Sequence, residues 1–463
     1  MDKKFMSALN EIDAKSKLIC DCSDYLWDNP ELAFTEFKSA RYICDLLKSE
    51  GFEVEENLTG IPTAFSGRYG KGHPVIGLLG EYDALSGLSQ EAEGLTNVSL
   101  NGVVCGQGCG HNLLGAGTVG AAIGIKKYLE ESGASGTVIF YGTPAEEGGS
   151  GKAFMARDGA FDELDIALCW HPDSKNAVRT ASSLSNYQIL YKFDGQSSHA
   201  GAAPDKGRSA LDAVELMNVG VQFLREHMSD DCRVHYAITD AGGISPNVVQ
   251  PHAEVLYLIR AVNNVEVKAL YERVNKIAAG AAMMTETRES HVFIKACSNV
   301  INNGVLQKVM QGCMEEINPP VPDEKELKFA RDMAAIGIGT KDAAIIEKPY
   351  KYEVQPFTPA TGVGHGSSDV GDTSWVCPTV WFSGCTEVTG TPGHSWQETS
   401  QGKGTYAKKG MLYAAKILAA TAIEVIDNPA LVEEAKKEHK ATVGAGYEAP
   451  IPKDVKPKAL TSL

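Results

Sequence analysis

The stretch Thr137-Val138-Ile139-Phe140-Tyr141-Gly142-Thr143-Pro144-Ala145-Glu146-Glu147-Gly148-Gly149 decides how the rest of the chain is read. Its first five residues are apolar or β-branched without alternation, the pattern of a strand buried on both faces inside a parallel sheet. The strand runs into a Gly/Pro turn carrying two adjacent acids. The layout recurs. Val75-Ile76-Gly77-Leu78-Leu79 precedes, with a loop between, the cluster Cys109-Gly110-His111; Ile166-Ala167-Leu168-Cys169-Trp170 runs directly into His171. In an open α/β sheet, functional groups collect beyond the carboxyl ends of the strands. Thiolate, imidazole and carboxylate arriving at one edge are the makings of a divalent-metal site. Paired acids on a loop are most often solvated; these follow a buried strand, and adjacent acids can divide labour, one binding metal while the other serves as general base.

Working outward, strands and helices alternate up to about residue 185, which predicts an α/β fold with a largely parallel sheet. Phe37, Ala40, Cys44 and Leu47 repeat at helical spacing until Gly51, and 115–128 reads as a Gly- and Ala-rich helix able to pack close to a sheet. Between 186 and 300 the order becomes βαββαβ, with strands at 187–193, 234–238, 255–259 and 291–296 and helices at 209–228 and 265–284. That is a complete ferredoxin-like unit, read as an inserted domain. The predicted organisation is therefore 1–185 and 301–463 as two parts of one domain, with 186–300 inserted. A further buried strand, 379–382, precedes His394, and 406–425 is a long closing helix. The last dozen residues, with Pro450, Pro452 and Pro457 nearby, read as a loose tail.

A formal charge of −16 over 463 residues argues against nucleic acid and anionic membrane as partners. It also means that any recognition of a carboxylate must come from local Arg, Lys or backbone donors. The N-terminus lacks an apolar signal core and no run approaches the roughly 18 to 20 apolar residues of a membrane span. Eleven scattered cysteines form no framework, so the expectation is a cytoplasmic protein with reduced thiols.

The candidate ligands each have a plainer reading. Cys109 and His111 alone would be core residues, and Cys105-x-x-x-Cys109 would be half of a structural zinc site, except that no second pair follows at zinc-ribbon spacing. Gly106, Gly108 and Gly110 favour a tight loop that aims side chains. His171 ends a strand rather than lying on a polar face. His394, in Thr391-Pro392-Gly393-His394-Ser395, is weaker alone. Asp83, after the first buried strand, is placed to orient a ligating imidazole; otherwise it is a loop acid. Three lookalikes are set aside. Gly115-x-Gly117-x-x-Gly120 does not directly follow a strand, so close helix packing explains it better than a dinucleotide. Gly151-Lys152 lacks the earlier P-loop glycine, and no Gly-x-Ser-x-Gly elbow is present.

Taken in order, WDNPELAF (27–34), CGHN (109–112), PAEE (144–147) and WHP (170–172) resemble the M20 metallopeptidase and amidohydrolase family, in its aminoacylase-like branch, over nearly the whole chain. Glu81-Tyr82-Asp83-Ala84-Leu85 and Gly366-Ser367-Ser368-Asp369-Val370-Gly371-Asp372 resemble the aminobenzoyl-glutamate hydrolase type within it. The resemblance implies a zinc-peptidase-like catalytic domain, with the insert as a lid and dimerisation domain. It implies two divalent ions per chain, zinc or manganese, with Cys109 bridging, His111 and His171 on one ion and Glu147 and His394 on the other. Glu146 would be the general base. His199, in Gly195-Gln196-Ser197-Ser198-His199, matches the family histidine that reaches the scissile carbonyl, often across a dimer. Asn247 and Arg260 match positions that hold the substrate carboxylate, where an arginine gives a bidentate clamp; its plain reading is a surface charge. Backbone amides around Gly366 would add anion contacts. Many family members place a histidine or aspartate ligand where this chain has Glu81, which is read as supporting the ligands rather than joining them.

The implied reaction is hydrolysis of an N-acyl or N-aroyl amino acid, with p-aminobenzoyl-glutamate favoured. A dipeptidase or a hippurate-type deacylase is the alternative within that class. The alternative outside it is a non-catalytic metal-binding scaffold, against which the intact set of acids and histidines argues. The implied assembly is a homodimer through the insert, with a homologous second subunit left open.

Overall fold

The computed structural model describes residues 3–359 and 362–459. Its centre is an eight-stranded sheet made of β1 (Glu53–Glu56), β2 (Phe65–Lys71), β3 (Val75–Gly80), β6 (Gly136–Gly142), β7 (Ile166–Asp173), β8 (Lys175–Val178), β13 (Lys351–Val354) and β14 (Thr379–Cys385). The two-residue strands β4 (Leu85–Ser86) and β5 (Cys105–Gly106) pair separately in the loop after β3. The order across the large sheet is β1-β2-β6-β3-β7-β14-β8-β13. β6, β3, β7 and β14 run parallel, as do β8 and β13, while β1, β2 and the β14–β8 pair are antiparallel. All residues of β3, β6 and β14 are buried, as expected of strands covered by helices on both faces. The chain moves from β3 to β6 on one side and then crosses to β7 on the other. This reversal opens a crevice at the strand ends, the usual place for a ligand in such sheets.

The helix His111–Ser132 lies on that sheet, against Thr405–Asp427. Its glycines make the packing close. A Cβ on Gly115 would come within 2.6 Å of the Glu81 carbonyl oxygen, and one on Gly117 within 3.0 Å of Trp170 and 3.1 Å of Met411. The Gly-x-Gly-x-x-Gly spacing thus serves helix packing, as the sequence indicates.

A second sheet holds β9 (Ser185–Asp194), β10 (Arg233–Asp240), β11 (His252–Ala261) and β12 (Arg288–Cys297), all antiparallel in the order β10-β11-β9-β12. Helices Ala210–Arg225 and Asn264–Thr285 cover one face, each begun by a side-chain cap, Ser209 and Asn263 respectively. β11 alternates buried and half-buried positions along its length, the signature of a sheet with one covered face. β10 is an edge strand, exposed from His235 onward.

The terminal segment is more ordered than a loose tail. Ile451 is buried in the core, Tyr447 donates to Asp372 Oδ1 at 2.9 Å, and Arg157 donates to the carbonyls of Pro452 (3.0 Å) and Val455 (2.7 Å). Prolines remove N–H donors but leave carbonyl acceptors, and Arg157 uses them. Residues 460–463 of that segment lie outside the described residues. Among the described residues no helix is long and apolar enough to cross a membrane.

Candidate metal centre and active-site cavity

Cys109 and His111 reach the crevice because Gly110 between them adopts φ 69° and caps the helix that His111 begins. A Cβ on Gly110 would sit 2.9 Å from the Pro172 ring. Both the left-handed backbone and the lack of a side chain are therefore needed to bring this turn against His171-Pro172. Glu146 and Glu147 do not lie on a loop, as the sequence suggests. They open a short helical turn, Glu146–Gly149, entered through Ala145 at φ 62° and left through Ser150 at φ 53°. Two glycines hide that turn from a propensity reading. His394 is also left-handed, at φ 53°. Non-glycine residues held in this region cluster at functional sites.

Ligand atoms of Cys109, His111 and His171 lie within 4.8 Å of one another, and so do those of Cys109, Glu147 and His394. Cys109 is common to both groups, the arrangement a bridging ligand requires. A third group, Glu81 with His111 and Glu146, lies beside them. Glu81 Oε2 is 3.2 Å from His111 Nε2, nearer to the ligating atom than a supporting role needs. Buried His111 Nε2 and Glu147 Oε1 make no hydrogen bond of normal geometry, and each has one charged neighbour at 3.2 Å, Glu81 Oε2 and His394 Nε2 respectively. Buried polar atoms are rarely left so, and a bound ion is one of the few things that satisfies them. Three imidazoles, a thiol and a carboxylate suit zinc and also admit manganese. The residues present fit a pair of divalent ions.

Asp83 serves both groups at once. Its Oδ1 is 3.0 Å from His111 Nδ1, the orienting contact read from the sequence, and its Oδ2 accepts from the Glu147 backbone N–H at 2.9 Å. Burial disfavours a charged His111, but Asp83, Glu81 and Glu147 outweigh it and hold its pKa well above the usual value. His171 goes the other way, pushed well below by burial and then by the charges of Arg179 and His111. Burial, followed by Glu147, Glu398 and Glu146, holds the Cys109 thiol up. The two adjacent acids also diverge. Glu146 is raised well above the usual range by burial and by Glu81, Glu147 and Asp369. Glu147 is lowered, because His394 and His111 overcome its burial. Neighbouring acids pushed apart in this way take different roles.

Cys109, Glu146, Glu147, His171 and His394 open into a cavity of about 630 Å³, lined also by Arg260, Gly366 and Ser367. Arg260 donates to Ser367 Oγ at 2.7 Å, tying β11 to the Gly364–Ser368 loop. Lys295, on β12, donates to the Glu147 carbonyl at 3.2 Å. His199 and Asn247 do not line the cavity. His199 Nδ1 accepts from the N–H groups of Gly201 and Ala202, both at 3.1 Å, and Asn247 is exposed.

Sequence reasoning misses Lys152, which enters it only as part of a rejected phosphate loop. It is fully buried, with Nζ 2.6 Å from Glu81 and 2.7 Å from Asp369. A lysine leading into the apolar run Ala153-Phe154-Met155-Ala156 is the available signal, since lysine is almost never fully buried unless paired.

Residues 186–283 match the peptidase dimerisation domain of the M20 family. Over 97% of its length the chain is 45% identical to the B-type subunit of p-aminobenzoyl-glutamate hydrolase from Escherichia coli (strain K12), 98% of which is covered. The fold resembles that of an aminobenzoyl-glutamate utilization protein from Klebsiella pneumoniae (TM-score 0.61, 15% identity, 89% of this chain and 97% of that one). It also resembles a dinuclear metal-binding peptidase from the M20 family of Bacillus subtilis (TM-score 0.55, 17% identity, 90% and 99%).

Proposed function

The chain belongs to the M20 family of peptidases and amidohydrolases, and we propose that it is the family's hydrolase for the amide bond of p-aminobenzoyl-glutamate. The observation that carries this reading is the pair of ligand groups sharing Cys109, with Glu146 beside them in a cavity that also holds Arg260. The 45% identity to a hydrolase of that name supports the choice of substrate. In this reading residues 1–185 and 301–463 form the catalytic unit and 186–300 the lid and dimerisation unit.

Cys109, His111 and His171 would hold one ion, and Cys109, Glu147 and His394 the other, manganese or zinc. When bound, the ions supply Lewis acidity and make water a stronger acid. Glu146, with its raised proton affinity, removes the proton of the attacking water and passes it to the leaving amine nitrogen. Asp83 keeps His111 in the tautomer whose Nε2 faces the site. Arg260 and the Gly366 backbone hold the α-carboxylate of the amino acid. His199 donates to the amide carbonyl oxygen and Asn247 adds to the carboxylate site. Both lie away from this chain's cavity, so in this reading a second copy, or a homologous subunit, brings them. A cytoplasmic setting suits a thiolate ligand and eleven cysteines that form no disulfide.

The test is release of p-aminobenzoate from p-aminobenzoyl-glutamate by protein loaded with manganese or with zinc. It is set beside N-benzoylglycine and Xaa-Arg dipeptides. Faster cleavage of either comparison substrate would replace the proposed reaction with the deacylase or dipeptidase one.

A further inference from the structure

Arg179 has no task in the reaction above, yet it lines the same cavity as Arg260. It follows β8 and lies over Trp381, with its guanidinium carbon 4.4 Å from the ring centroid. Its Nε donates to Ser383 Oγ at 2.9 Å, and Ser383 Oγ donates to Asp173 Oδ2 at 2.7 Å. The Arg179 backbone N–H donates to the Trp381 carbonyl at 3.1 Å. One face and one edge of the guanidinium are thus fixed. Nη2 forms an ion pair with Asp173 Oδ2 at 3.7 Å, and neither terminal amino group makes a hydrogen bond among the described residues. A planar fork held by Nε and by stacking, with its outer N–H groups open to a cavity, is preorganised to receive a carboxylate in bidentate fashion.

A substrate with one carboxylate needs one such group, and Arg260 already fills that place. The chain's charge of −16 provides no general attraction for a second acid. We propose that Arg179 is a specificity-determining residue that binds the side-chain carboxylate of a dicarboxylic amino acid such as glutamate. N-acyl dicarboxylic amino acids are then the substrate class, and neutral side chains are discriminated against at this position. The inference rests on the reading of the site as an N-acyl amino acid hydrolase and adds the determinant of its leaving group.

N-benzoyl-L-glutamate and N-benzoyl-L-glutamine differ in that one charge and hardly in shape, so the pair isolates it. With the metal-loaded protein, the ratio of kcat/KM for glutamate over glutamine should fall about 10- to 100-fold in Arg179→Gln, mainly through KM. Arg179→Lys should recover part of it. Equal losses on both substrates would show that Arg179 only props the Trp381 wall, and would overturn the proposal, as would an unchanged ratio. Calorimetric titration of both compounds into Glu146→Gln and into Glu146→Gln/Arg179→Gln reads the same preference without turnover. Loss of the preference in the double variant is expected, and its retention would overturn the proposal. Failure of the underlying reading looks different: the wild-type protein would neither cleave nor bind either benzoyl amino acid, and both inferences would fall together.

Discussion

At the carboxyl end of the large sheet, His111, Asp83 and Lys152 are all within 1% of complete burial, and each charged group answers another. In the four-stranded unit the polar groups of interest, His199 and Asn247, are exposed, and the His199 ring meets only the backbone of its own loop among the described residues. The first region is built like a finished site, with ligand atoms that make no hydrogen bond of normal geometry, strained turns and acids of divided proton affinity. The second is built like one half of something. Among the described residues it reaches the cavity through Arg260, and Lys295 touches the Glu147 carbonyl. In the proposed reading the difference means that one chain supplies the chemistry of bond cleavage, while carbonyl recognition comes from another surface.

The largest expected effect tests the finished region. Glu146→Gln should lower kcat roughly a thousandfold, the scale of a lost general base, while metal content by elemental analysis stays at the wild-type value. Near-wild-type turnover would remove Glu146 from the role of base.

Next is Lys152→Met, which leaves Glu81 and Asp369 buried without their cation. Breaking a buried pair from one side costs about 3–5 kcal/mol, read as a lower denaturation midpoint. A loss below about 1 kcal/mol would mean that the centre's charges are better solvated than the geometry indicates.

The unfinished region gives the third test. His199→Ala should cost roughly a hundredfold in kcat/KM. Mixing it with Glu146→Gln should restore activity that neither variant has alone, because a mixed pair contains one site with both residues. No recovery after subunit exchange would show that His199 acts within its own chain or not at all.

The smallest effect lies on the outer face of the insert. His252 is 2.8 Å from Asp194 and 3.2 Å from Glu254, and the Asp194 hydrogen bond raises its pKa against a modest opposing burial. A raised histidine stabilises most below its ordinary pKa and loses that contribution as pH rises through the raised value. His252→Gln should therefore cost more at pH 5.5 than at pH 8. The pair is over a third exposed, so even the larger cost should stay under about 1 kcal/mol. An equal cost at both pH values would assign His252 a packing role instead.

What the sequence discloses follows the same divide between finished and exposed parts. The buried strands β3, β6, β7 and β14 are legible because an unbroken apolar run bounded by turn residues has little else to form, and the ligands are legible because each run leads to one. The strands β8 and β13 are not: Lys-Asn-Ala-Val and Lys-Tyr-Glu-Val are short and polar, and only neighbours in space make them strands. The turn Glu146–Gly149 reads as a loop because its conformation is imposed by Pro144, Ala145 and Ser150 rather than by its own residues. Lys152 and Arg179 escape because their significance lies in partners more than 60 residues away, which no local pattern records.

The position of β14 has a consequence for biosynthesis. This strand, residues 379–385, is made late but lies inside the sheet, between β7 and β8, and the helix that packs beside His111–Ser132 on the same face ends at Asp427. On the ribosome, all four strands of the small sheet are available once Cys297 has emerged. The catalytic half must then wait for another 88 residues, to Cys385, with the facing edges of β7 and β8 unpaired. Open apolar edges of this kind recruit chaperones and favour association between nascent chains. The insert is thus the part of the protein that finishes first, and aggregation during overproduction should trace to the interrupted half.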